Sequence, residues 1–234
     1  EETLDGKLMN YILDPTATYA EPKLKRGLII GDVQSGKTST YIGFMCKAAD
    51  AGYKVFILLT GTIESLRKQT QERVEEGFIG IDMSANSTGG KRVGVGLDNQ
   101  DIFAMSMTSR AKDFTGDNDK IAVSLKGNNQ AVVFVIKKNT TTLQKLTKWL
   151  TTLNADPITK KIDLPMLMID DEADNASINT SANKEDPTKI NKLIRELASV
   201  FTKSNYVGFT ATPFANVFID PETTEKMETQ DLFP

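Results

Sequence analysis

Gly31-Asp32-Val33-Gln34-Ser35-Gly36-Lys37-Thr38 fits the phosphate-loop pattern G-x-x-x-x-G-K-[ST] at every position. Its flanks fit as well. The apolar run Gly27-Leu28-Ile29-Ile30 predicts a buried strand before it, and residues 38–51 predict a helix closed by Gly52. Gly31 and Gly36 allow backbone angles and close approaches that other residues resist. The N–H groups of Val33, Gln34, Ser35, Gly36, Lys37 and Thr38 can then converge on an anion, backed by the positive end of the helix. Lys37 adds a point charge for the terminal phosphates, and the Thr38 hydroxyl suits Mg²⁺. Strand, loop and helix together predict a bound nucleotide.

Outward from the loop, strands and helices alternate. Residues 54–59 form a near-continuous apolar run, as expected of a parallel strand covered on both faces. Thr60-Gly61-Thr62 ends it, and an amphipathic helix follows over 63–76 with Ile63, Leu66 and Val74 inward. Residues 131–136 give the clearest strand, followed by a helix over 141–153 with Leu143, Leu146, Trp149 and Leu150 on one face. A strand over 164–169, a helix over 190–201 and a strand over 206–209 complete the alternation. The pattern specifies an α/β fold with a parallel sheet. Residues 1–26 read as a lead-in with a short apolar helix near 8–13, and 83–100 as a loop. Residues 102–108 suggest one more strand, 109–129 carry little signal, and the pattern fades after Asp220. The expected division is a lead-in at 1–26, a nucleotide-binding lobe at 27–219 and the start of a linker at 220–234.

The composition narrows the chemistry. With 39% apolar and 25% charged residues the chain is globular in character, and its net charge of −3 offers no global basic field. Contact with nucleic acid must come from local patches. No apolar run approaches the length of a membrane helix, and Glu1-Glu2-Thr3-Leu4-Asp5 does not read as a signal peptide. The lone Cys46 lies in an apolar helix and reads as core packing, and cytoplasm is the expected compartment. The chain contains no histidine, which excludes Ser-His-Asp and Cys-His triads and histidine-ligated metals within it.

The strand at 164–169 runs into Asp170-Asp171-Glu172-Ala173-Asp174. Ligands of open parallel sheets sit beyond the carboxyl ends of the strands. There Asp171 would hold Mg²⁺, and Glu172 would orient and deprotonate an attacking water.

The phosphate loop, Asp171-Glu172-Ala173-Asp174 and Thr210-Ala211-Thr212 resemble, in order, three motifs of superfamily II helicases. The likeness spans a first RecA-like lobe from about Gly27 to Ile219. More narrowly, residues 31–38, 47–54, 69–73, 169–179 and 206–216 are similar to the Z-one domain family. Those proteins are bacterial helicase-like ATPases, named as endonucleases and encoded with restriction and anti-phage defence systems. The resemblance implies ATP and Mg²⁺ as cofactors, and Thr210 and Thr212 coupling the nucleotide to movement between lobes. It implies DNA as partner, its backbone gripped by Thr60, Gly61 and Thr62 with Leu66 and Gln69, and by Lys137, Lys138 and Asn139 on the same rim. It also implies a second RecA-like lobe bearing an arginine finger, and partner proteins of a defence system. The sequence departs from the helicase pattern at Asp170, a position usually apolar, and at Asp32, an acid inside the phosphate loop. Two other readings stand beside the motor: a nucleotide-dependent switch that controls a partner, and a metal-dependent nuclease built on Asp170, Asp171, Glu172 and Asp174.

Overall fold

The apolar runs become the strands of one parallel sheet. A computed structural model describes residues 4–31, 36–84, 89–99, 104–116, 124–174 and 189–211. Two short helical turns, Leu4–Leu8 and Met9–Tyr11, precede β1 (Lys23–Ile30) and α1 (Lys37–Ala51). Then come β2 (Val55–Thr60), α2 (Glu64–Val74) with a wider turn at Glu75–Ile79, β3 (Ile81–Asp82), β4 (Lys91–Arg92), α3 (Val95–Asp98) and β5 (Ala104–Ser106). The rest is β6 (Ala131–Lys137), α4 (Thr140–Leu153), β7 (Ile162–Asp171), α5 (Lys189–Ser199) and β8 (Phe201–Thr210). Six strands pair in the order β1-β8-β7-β2-β6-β5, every neighbour parallel. The expected α/β fold is present, and β8 separates the phosphate-loop strand β1 from the acidic strand β7, consistent with a RecA-like lobe.

Parallel pairing needs crossovers, and the crossover helices bury both faces of the sheet. In β2 every residue is buried. Val55, Ile57 and Leu59 enter one core with α4 and α5, whereas Phe56 and Leu58 enter a second with α1. The alternation is the two-residue period of a strand expressed as two cores. On the α4 side Trp149 meets Phe114 and Phe134 edge to face, each at 5.9 Å. At the end of α1, Gly52 turns left-handed (φ 113°) and its N–H closes on the carbonyls of Ala48 and Ala49.

Several boundaries differ from the sequence expectation, for physical reasons. β1 starts at Lys23 rather than Gly27, since it pairs with β8 alone and is only half-buried along its length. Such a strand needs no apolar run. β8 begins at Phe201 and buries Ser204 and Asn205, polar residues with dedicated partners: Ser204 Oγ donates to the Ala198 carbonyl at 2.6 Å. Asn205 Nδ2 donates to Tyr53 Oη at 2.6 Å, and Tyr53 Oη donates to the Leu13 carbonyl at 2.6 Å. The Leu13 N–H returns to Asn205 Oδ1 at 2.9 Å, so the lead-in is strapped to β8. Its expected helix near 8–13 is a pair of tighter and wider turns instead. Cys46 is half-exposed, with Sγ 3.8 Å from the Gly77 carbonyl, rather than packed in the core.

The largest revision concerns α2. Ile63 is 58% exposed, and the buried residues are Arg67, Thr70, Gln71 and Val74. An inward face expected to be apolar is mostly polar, because it docks on the backbone that follows β5.

Candidate functional site

The site lies beyond the carboxyl ends of the strands, as the open-sheet rule requires. Gly36 stands left-handed at φ 77° where the loop enters α1, a conformation that favours glycine. Lys37 Nζ reaches back to the Gly31 carbonyl at 3.1 Å, and the Gly31 N–H donates to the Thr210 carbonyl at 3.0 Å. β8 therefore clasps the start of the phosphate loop, and Thr210 is buried at that clasp. Val33, Gln34, Ser35 and Thr212 lie outside the described residues.

Thr38, Thr60, Gly61, Asp171 and Glu172 line one cavity of about 100 Å³, closed on the far side by Leu66, Gln69, Thr70 and Arg73 of α2. The phosphate-loop threonine and the acidic pair, 133 positions or more apart in sequence, thus share one space. Burial pushes the Asp171 carboxyl above the usual aspartate range, and the charges of Glu172 and Asp170 push the same way against Lys138 and Lys37. Tyr41, one turn into α1, is buried against Thr38 and Thr70 of the cavity wall. Burial, helped by the Asp171 charge, pushes that phenol up to about 12. A magnesium-bound triphosphate suits this set: hard oxygen donors from Thr38 and Asp171, with the Lys37 ammonium at the loop.

Glu172 is one of two non-glycine residues with positive φ among the described residues, at 60°. Its carboxylate lies over Gly61: a Cβ on Gly61 would sit 2.7 Å from Glu172 Oε2. Beneath the acidic turn, Asp170 is fully buried. Its Oδ1 accepts from Lys138 Nζ at 2.8 Å, and its Oδ2 from Tyr206 Oη at 2.5 Å. Lys138 also donates to the carbonyls of Asp171 at 3.2 Å and Glu172 at 2.6 Å.

These contacts revise the expected nucleic-acid rim. Lys138 is 1% exposed and committed to the acidic turn, so it presents nothing to a nucleic-acid backbone. Thr60 is likewise buried, its hydroxyl donating to the Ile136 carbonyl at 3.2 Å. Asn139 caps α4 by accepting from the Thr142 N–H at 2.8 Å. Thr62 is exposed, and Lys137 is partly exposed with Nζ 2.7 Å from Glu64 Oε2 and 4.0 Å from Asp113 Oδ2. The nuclease reading loses Asp170, which faces the sheet rather than solvent, and no group of three acidic or cysteine metal ligands stands together among the described residues. The sequence reading missed the Lys138–Asp170–Tyr206 brace. Its one visible trace is an acid where helicase motifs carry an apolar residue.

No helix among the described residues is long and apolar enough to cross a membrane. No curated protein matches the chain. A nuclease-deletion mutant of the Type ISP restriction-modification enzyme LlaGI, solved in complex with a DNA substrate mimic, is similar at 15% identity and a TM-score of 0.42. The likeness covers 80% of this chain and 16% of that one, so the chain spans about a sixth of that protein's length. The family model described as "Type III restriction enzyme, res subunit" matches residues 9–215, and with that match over most of its length the chain belongs to this family.

Proposed function

We propose that the chain is the ATP-binding and ATP-hydrolysing lobe of a helicase-like motor that acts on DNA in a restriction or anti-phage system. The observation that carries this reading is the single cavity shared by Thr38, Asp171 and Glu172. Membership of the res-subunit family supports the restriction context, and the Z-one resemblance narrows it. Lys37 binds the terminal phosphates, Thr38 and Asp171 hold Mg²⁺, and Glu172 takes the proton of the attacking water. Mg²⁺ supplies charge neutralisation on the phosphate oxygens when bound. Thr210, on the strand that clasps the loop, reports the nucleotide state to a second lobe, which supplies an arginine. Thr62 and Lys137 contribute sequence-independent contacts to DNA phosphates, and the protein works in the cytoplasm.

The test is hydrolysis by the full-length protein, with and without DNA. Glu172→Gln should bind Mg·ATP normally and lose turnover by about a hundredfold or more, since only the water-activating group is removed. A lobe that merely switches a partner would hydrolyse ATP without DNA stimulation. Turnover unaffected by Glu172→Gln would refute the assignment.

A further inference from the structure

Lys138 carries a charge with almost no exposed surface, which is costly unless every N–H finds an acceptor. It finds three: Asp170 Oδ1 at 2.8 Å, the Asp171 carbonyl at 3.2 Å and the Glu172 carbonyl at 2.6 Å. Two of these are backbone atoms of the acidic turn. At that turn Glu172 adopts the left-handed conformation, which is strained for a residue with a Cβ. Such strain persists only where the surroundings hold it. The carbonyl of Glu172 is held by Lys138, and the next N–H, of Ala173, is held by the Phe209 carbonyl at 3.0 Å. So fixed, the turn lays the Glu172 carboxylate over Gly61, and a Cβ there would push the carboxylate aside.

We propose that Lys138 is a positioning residue for hydrolysis: it sustains the left-handed Glu172 and so delivers its carboxylate to the cavity. The proposal rests on the reading of Glu172 as the group that activates water. Asp170 is the carboxylate partner of the buried Lys138 ammonium, and Tyr206 fixes Asp170 from β8. The brace crosses the sheet from β6 past the end of β2, whose Thr60 carbonyl takes the Lys138 N–H at 3.2 Å, to β7 and β8. Adjacent Lys137 turns the other way, to Glu64 of α2. One dipeptide therefore ties α2 to the catalytic turn.

The test uses the full-length protein. In Lys138→Met combined with Asp170→Leu, neither charge is left buried alone. Mg·ATP affinity should stay within about threefold of the parent, while kcat falls about 10- to 100-fold, part of what a positioned base supplies. Tyr206→Phe removes one hydrogen bond from Asp170, leaves every charge in place, and should lower kcat about two- to tenfold at unchanged affinity. It decides the matter if the double variant does not fold. Unchanged kcat in a folded variant, or affinity and kcat falling together, overturns the positioning role. Failure of the ATPase reading looks different: the parent, Lys37→Ala and Glu172→Gln would then all show the same background turnover.

Discussion

Helices α4 and α2 follow neighbouring strands of one sheet, yet they bury opposite kinds of surface. The inner face of α4 is Leu143, Leu146, Trp149 and Leu150, with Thr142 at its start. That of α2 is Arg67, Thr70 and Gln71, with Val74 alone apolar. Arg67 Nε and Nη2 both donate to Glu64 Oε1, at 2.9 and 2.7 Å, and the same guanidinium caps the Ser109 and Arg110 carbonyls at 3.0 and 3.2 Å. Gln71 donates to Glu75 Oε1 at 2.9 Å and accepts from Thr108 Oγ1 at 2.8 Å. Thr108 in turn accepts from the Val135 N–H of β6 at 3.0 Å. Apolar contact in α4 is non-directional and tolerant, so it serves as scaffold. The polar contacts of α2 fix its height and rotation against β6, and with them Leu66, Gln69, Thr70 and Arg73 around the cavity.

Emptying the α4 core should produce the largest loss of stability. Trp149→Ala removes the ring that meets Phe114 and Phe134, at a cost of about 3–5 kcal/mol. Nucleotide affinity of the molecules that remain folded should not change. Denaturant unfolding alongside nucleotide titration checks both halves, and an affinity change larger than the stability change would break the scaffold side of the comparison.

Arg67→Met comes next. It strands two loop carbonyls and leaves Glu64 with Lys137 as its partner, at about 2–3 kcal/mol, discounted because Glu64 is 39% exposed. Here activity should suffer beyond stability, with DNA-stimulated turnover falling more than basal turnover. Equal loss of the two would show that α2 is scaffold like α4.

The smallest effect concerns pH. Burial raises the Glu75 carboxyl above its ordinary 4.5, despite hydrogen bonds from Arg110 and Gln71, and raises Asp113 above 3.8. Between the ordinary and the raised value the folded chain holds a proton that the unfolded chain has released. Stability should therefore fall as pH rises through that window. Glu75→Gln should flatten this slope in melting curves taken across pH 4 to 7, and an unchanged slope would assign it elsewhere.

The same contrast explains what the sequence disclosed. α4 was legible because its apolar residues repeat at helical spacing, and β2 and β6 because buried parallel strands are continuously apolar. The phosphate loop and acidic pair were legible as local strings. Polar burial leaves no such trace. Arg67, Gln71 and Glu75 are not among the inward residues expected over 63–76, Lys138 read as a rim contact, and Ser204 and Asn205 lie before the expected strand, since only three-dimensional partners show that their polar groups are satisfied. β1 was read four residues short because an edge strand can be half polar.

The central claim is that Lys37, Thr38, Asp171 and Glu172 form one Mg·ATP site. Calorimetric titration of Mg·ATP into the full-length protein and its Lys37→Ala variant tests it most directly, with circular dichroism to verify the fold. The account predicts saturable binding to the parent and a loss of at least about a hundredfold in the variant, because Lys37 supplies charge to the phosphates and no packing. Equal affinity in a folded Lys37→Ala protein would contradict it.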